Sequence, residues 1–135
     1  MAFTKPSYSL VKGTEKQYTI TTTINSDYLI NVSITQYSDT QTMLICLSDC
    51  GCFSQWVVCT QTSTELRFGK SNSQNPFPTA LSRQLFLLLG GVETLIVAIG
   101  IRNPSPEKLK LIVSSIQQVL SSALHDISQQ LPHLN

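Results

Sequence analysis

Residues 17–48 read QYTITTTINSDYLINVSITQYSDTQTMLICLS. Tyr18, Ile20, Thr22 and Ile24 alternate with Gln17, Thr19, Thr21 and Thr23. A period of two rich in β-branched residues predicts a half-buried strand over Gln17 to Ile24. Asn25-Ser26-Asp27 then supplies turn chemistry. A second strand is expected over Tyr28 to Tyr37, with Ile30, Val32 and Ile34 opposite Asn31, Ser33 and Thr35. Ser38 to Gln41 reads as a hairpin loop. The third strand, Thr42 to Ser48, is apolar on both sides: Met43, Ile45 and Leu47 against Leu44 and Cys46.

Outward from this stretch, Asp49 to Cys52 reads as another turn. Phe53 to Thr60 is a fourth strand, again apolar on both sides through Trp56 and Val58 against Val57 and Cys59. Short connections in succession predict an antiparallel meander, because parallel neighbours need a crossover of about a dozen residues. Glu65 to Gly69 adds a short edge strand, and Lys70 to Pro78 reads as a loop with two prolines. Leu81, Leu85, Leu88 and Leu89 mark a helix from an N-cap at Thr79 to a stop at Gly90-Gly91. Thr94 to Ile101 is a central strand, apolar on both faces. Ser105-Pro106-Glu107 then opens an amphipathic helix of about six turns, carrying Leu109, Ile112, Val113, Ile116, Val119, Leu120, Ala123, Leu124 and Ile127. The expected fold is α+β, a single domain over residues 1–135 with about six mainly antiparallel strands and two helices on one face. Residues 1–14 and 128–135 are expected to be flexible.

This outline has a geometric consequence. Six strands at ~4.8 Å spacing make a sheet about 24–29 Å wide. Two helices of ~10 Å diameter cover most of one face and none of the other. Three strands are nevertheless apolar on both sides, so the uncovered face is expected to meet a partner. Composition points the same way: of 135 residues, 41% are hydrophobic and only 13% charged, where ordinary domains carry roughly 25% charge.

The remaining signals exclude more than they assign. The formal net charge is +1, from nine scattered Lys and Arg, which does not suit a phosphate-binding surface. MAFTKPSYSLVKG carries no apolar signal core, and no apolar run approaches the ~18 residues of a membrane span. A cytoplasmic or also nuclear location is expected. Cys46, Cys50, Cys52 and Cys59 lack the paired C-x₂-C spacing of zinc loops and read as small apolar groups. His125 and His133 lie at the C-terminal end without an identifiable catalytic partner. Neither paired acids nor a phosphate-binding glycine motif occurs. No catalysis, metal or cofactor is expected.

Two stretches carry a family resemblance. Gln17 to Asp49, with Thr35-Gln36-Tyr37 before its loop, is similar to the proteasome assembly chaperone 3 family. So is Thr79 to Ile116, TALSRQLFLLLGGVETLIVAIGIRNPSPEKLKLIVSSI, through its helix, its Val97-Ala98-Ile99 strand and its Lys108-Leu109-Lys110 helix start. The two cover about half the chain, and proteasome assembly chaperone 4, which shares the architecture, is the nearest alternative. The resemblance implies a non-enzymatic chaperone that pairs sheet against sheet with a chaperone 4-like subunit. It also implies that the pair promotes assembly of the α-type subunits of the 20S proteasome into a ring. The isolated chain could instead pair with itself. A roadblock- or longin-like adaptor scaffolding GTPase or trafficking complexes is the second reading, although those folds place a helix early.

Register assigns the faces. With four-residue loops at Ser38–Gln41 and Asp49–Cys52, Ile34 falls opposite Ile45, and Ile45 falls near Trp56. Ile30, Val32, Ile34, Ile45, Trp56 and Val58 would then face the helices. Leu44, Cys46, Val57 and Cys59 would form the partner-binding face, with Thr35 beside them. A one-residue slip reverses such an assignment.

Overall fold

The alternation in the sequence becomes a continuous ladder of paired strands. A computed structural model describes residues 7–13, 17–37, 40–69 and 76–130, with side chains through residue 123. The predicted hairpin positions Ser38 and Asp39, the segment 70–75, His133 and the side chain of His125 lie outside the described residues. In chain order the elements are β1 (Tyr8–Lys12), β2 (Gln17–Ile24), β3 (Ile30–Tyr37), β4 (Thr42–Ser48), β5 (Gln55–Thr60) and β6 (Thr64–Phe68). They are followed by α1 (Phe77–Leu89), β7 (Thr94–Gly100) and α2 (Pro106–Gln130). This is an α+β fold, with a sheet of seven strands where about six were expected. The added strand is β1, in a segment expected to be unstructured. Its Leu10 pairs with Ile20 and packs against the core. At the other end α2 continues to Gln130, past the predicted onset of a flexible tail.

The sheet order is β1-β2-β3-β4-β7-β5-β6. All neighbours are antiparallel except β4 and β7. The simple meander therefore ends at β4, and β7 occupies the slot expected for β5. Residues 49–54 do not make a hairpin; they cross the end of β7. The Asp49 amide donates to the Gly100 carbonyl at 3.0 Å, and the Ser54 amide donates to the Ile99 carbonyl at 2.9 Å. A Cβ on Gly100 would stand 1.7 Å from the Cys52 carbonyl oxygen, so only glycine lets the loop pass so closely. A strand apolar on both sides belongs at the centre of a sheet, and β7 takes that position.

One face of the sheet carries the core. Ile20, Ile34, Ile45, Val97 and Val57 lie side by side across β2, β3, β4, β7 and β5 and are buried. Leu81 and Leu85 of α1, and Ile112, Ile116, Val119 and Ala123 of α2, close over them. Helix α1 begins at Phe77, two residues before the predicted cap. Pro76 precedes it without a capping side chain, and the Thr79 hydroxyl donates to the Pro76 carbonyl at 3.2 Å. At α2 the Ser105 hydroxyl accepts from the Lys108 amide at 3.1 Å, the N-cap bond its sequence predicts.

A charged lock holds the end of the sheet. Asp49, which read as a plain turn residue, has a fully buried side chain. It accepts from the Arg102 amide at 3.1 Å and from Arg102 Nε at 3.2 Å. The Arg102 guanidinium lies 3.8 Å from the Tyr28 ring centre, and Lys108 Nζ donates to the Arg102 carbonyl at 2.7 Å. Lys108 also pairs with Asp27 at 3.2 Å. A hydrogen bond from the Ser26 hydroxyl is the largest influence holding the Asp27 carboxyl below its ordinary range, with Lys108 adding to it.

Candidate partner-binding face

The strand registers define the face opposite the helices. One row across it runs Thr19, Thr35, Leu44, Ile96, Val58 and Glu65. The next runs Ser9, Thr21, Ser33, Cys46, Ala98, Trp56 and Phe68. The face therefore has two halves. On β2 and β3 it is lined by small hydroxyls and Asn31, with Thr19 Oγ1 and Thr35 Oγ1 sharing a hydrogen bond at 3.2 Å. On β4, β7 and β5 it is apolar. Ala98 is buried, Leu44, Cys46, Val58 and Ile96 are half-buried, and Trp56 and Phe68 are exposed at 43% and 61%.

Charge is missing from most of this surface. Among the described residues, the outward positions of β1 to β5 and of β7 include no Asp, Glu, Lys or Arg. The first charges are Glu65 and Arg67 on the edge strand β6, paired at 2.8 Å. Depletion of charge with aromatic residues present is the compositional mark of an interface centre. The hydroxyl-lined half is concave, a trough of about 540 Å³ bounded by Ser9, Thr21, Thr23, Ser33, Ser48 and Phe53 among others.

Of the four residues predicted for this face, Leu44 and Cys46 lie on it. Val57 and Cys59 do not: both are 0% exposed and belong to the core. Trp56 and Val58, assigned to the helices, occupy the outward positions instead. The physical reason is the inserted β7. A hairpin of Asp49 to Cys52 would set Ile45 against Trp56, whereas the observed register runs Ile45, Val97, Val57. That moves β5 by one residue and turns each of its side chains over. Ile96, Ala98 and Phe68 were not foreseen on this face. The two-sided apolar pattern of Thr94 to Gly100 held the signal for Ile96 and Ala98, but gave no means of choosing a side.

The chemistry of the face is that of packing. Burial pushes the Cys46 thiol above its ordinary range. It does the same to Cys59, against the opposing hydrogen bond to Thr64 and the charge of Arg83. Neither is thereby favoured as a thiolate nucleophile. Among the described residues, no group of three His, Cys, Asp or Glu side chains could hold a metal ion, and no helix is long and apolar enough to cross a membrane.

Comparison with known proteins adds one outline. No family model matches the chain, and no curated protein matches it. Among solved structures, it is similar to a chain from the crystal structure of a novel chaperone complex for yeast 20S proteasome assembly. The TM-score is 0.46 and the identity 12%, over 86% of this chain and 98% of that one.

Proposed function

We propose that this chain is a non-enzymatic assembly chaperone, which pairs through its open sheet face with a structurally similar partner. The pair promotes assembly of the α-type subunits of the 20S proteasome into a ring. The observation that carries the pairing is the uncharged face centred on Leu44, Ile96, Val58, Ala98 and Trp56, with α1 and α2 both packed on the opposite side of the sheet. The whole outer face, hydroxyl-lined half and β6 included, spans seven strands at ~4.8 Å and about 20 Å long, roughly 700 Å², close to the ~800 Å² per partner of a standard interface. Only its part on β4, β7 and β5 is apolar, and burying that part is favourable at about 25 cal/mol per Å², before the costs of association are set against it. The proteasomal role rests on the resemblance of Gln17 to Asp49 and Thr79 to Ile116.

The adaptor reading finds less support, since six strands precede the first helix. An affinity capture of the tagged chain from its own cell extract tests the proposal. Recovery of a small α/β partner with immature α-type proteasome subunits supports it. GTPase-regulating or trafficking partners without proteasome subunits would replace it with the adaptor.

A further inference from the structure

The loop that crosses β7 presents Cys50-Gly51-Cys52 at its tip, and both cysteines are exposed residues. Its two ends are fastened to β7 by the Asp49 and Ser54 amides. The Ser48 hydroxyl holds the turn from beneath, accepting from the Cys50 and Gly51 amides at 3.2 and 2.9 Å and donating to the Cys52 carbonyl at 2.9 Å. Gly51 has a φ of +79° with open space where a Cβ would be, a left-handed bend that glycine adopts without strain. Cys50 Sγ is turned toward the loop's backbone, 3.7 Å from the Cys52 carbonyl oxygen and 3.6 Å from the Gly100 carbonyl oxygen. The other two cysteines, Cys46 and Cys59, sit in strands, where burial disfavours their thiolates.

We propose that Cys50 and Cys52 are a redox-active dithiol whose oxidant is a small-molecule disulfide. One thiolate attacks a sulfur of that disulfide, forming a mixed disulfide and releasing the first thiolate of the oxidant. The second cysteine thiolate then attacks the protein sulfur of the mixed disulfide and expels the remaining half. The protein loses two electrons as the Cys50–Cys52 bond forms, and the oxidant becomes two thiols, which take up the two protons. A small ring on an exposed turn belongs with the labile disulfides, those reduced again as conditions change, rather than with structural ones. Because the fastenings to β7 lie on either side of the tip, ring closure is confined to the loop and the fold persists.

The test is titration of the intact chain with oxidised and reduced glutathione, followed by alkylation of free thiols and mass measurement of the whole chain and its fragments. The expected product has lost two of its four free thiols, carries no glutathione, and links Cys50 to Cys52. In Cys50→Ser and in Cys52→Ser the remaining loop thiol should instead hold glutathione as a lasting adduct. Retention of all four thiols across the titration overturns the proposal. So does accumulation of glutathione adducts on the unaltered chain, or a disulfide between two chains.

Discussion

Neighbouring residues Val57 and Val58 give the sharpest test of which face is open. Val57 is 0% exposed beneath the helices, opposite Val97 and Leu66, whereas Val58 faces outward and is half-buried. In Val57→Asp the core loses a buried valine side chain, about 1.5–3 kcal/mol. The new carboxyl has no partner, so it must hold its proton at pH 7 against an ordinary pKa near 3.9. That costs about 4 kcal/mol at 1.36 kcal/mol per unit. The sum, about 6–7 kcal/mol, is comparable with the ~5–15 kcal/mol that holds a typical domain together. Val57→Asp should therefore fail to fold or melt at far lower denaturant. In Val58→Asp the carboxylate stays hydrated in the isolated chain, and the stability loss should be about 1 kcal/mol. When a partner covers the face, the same ~4 kcal/mol penalty falls on association, weakening it roughly a thousandfold. Denaturant unfolding followed by circular dichroism reads the first quantity, and sedimentation velocity reads the second. A stable Val57→Asp beside an unfolded Val58→Asp would refute the register, and unchanged pairing in Val58→Asp would refute the interface.

Other perturbations separate the remaining features. Leu44→Asp should likewise abolish pairing while the isolated chain keeps its fold, read by size-exclusion with light scattering beside a denaturant curve. Gly100→Ala forces the Cys52 backbone away from β7, and a loss of about 1–3 kcal/mol is expected, visible as a lower urea midpoint. Asp49→Ala leaves the Arg102 amide and guanidinium without their carboxylate. Arg102 is half exposed and can rehydrate, so the expected loss is about 2–3 kcal/mol in the same assay. For Cys46 and Cys59 the folded-state pKa is raised. Their contribution is fully present below the ordinary thiol pKa and is lost as the pH rises through the raised values. Stability should therefore fall on the alkaline side, with a shallower fall in Cys59→Val, measured as denaturant midpoint against pH.

Local pattern was sufficient wherever the structure is local. The alternation in Tyr28 to Tyr37, with a four-residue loop before Thr42, places Ile34 opposite Ile45, as observed. The Ser105-Pro106 cap and the spacing of Ile112, Ile116 and Val119 likewise require no knowledge of the rest of the chain. What the pattern could not supply was the seat of β7. Its pairing with β4 joins residues about fifty positions apart, and nothing between Asp49 and Ser54 announces that the loop crosses another strand. The single local trace is Gly100, which reads as an ordinary strand end until the Cys52 carbonyl is seen against it. The same blindness misplaced Val57 and Cys59, because β5 takes its register from β7 and not from a four-residue hairpin with β4.

The insertion also strengthens the case for a partner. From sequence, the two-sided apolar strands are Thr42 to Ser48, Phe53 to Thr60 and Thr94 to Ile101, which a meander would leave partly separated. In the sheet they are β4, β7 and β5, direct neighbours, so their outward side chains merge into one strip. The helices already take the opposite sides of all three: Ile45, Val97 and Val57 are each fully covered. Ordinary core packing therefore accounts for only half of the apolar residues in these strands. The other half, from Leu44 through Ile96 and Val58 to Trp56, lies on a surface whose described residues carry no charge until Glu65 and Arg67. A sheet face that only met water would be expected to alternate apolar-in with polar-out, as β2 does with Thr19, Thr21 and Thr23. The central strands break that rule together and in contact, which is the arrangement a partner's sheet would cover.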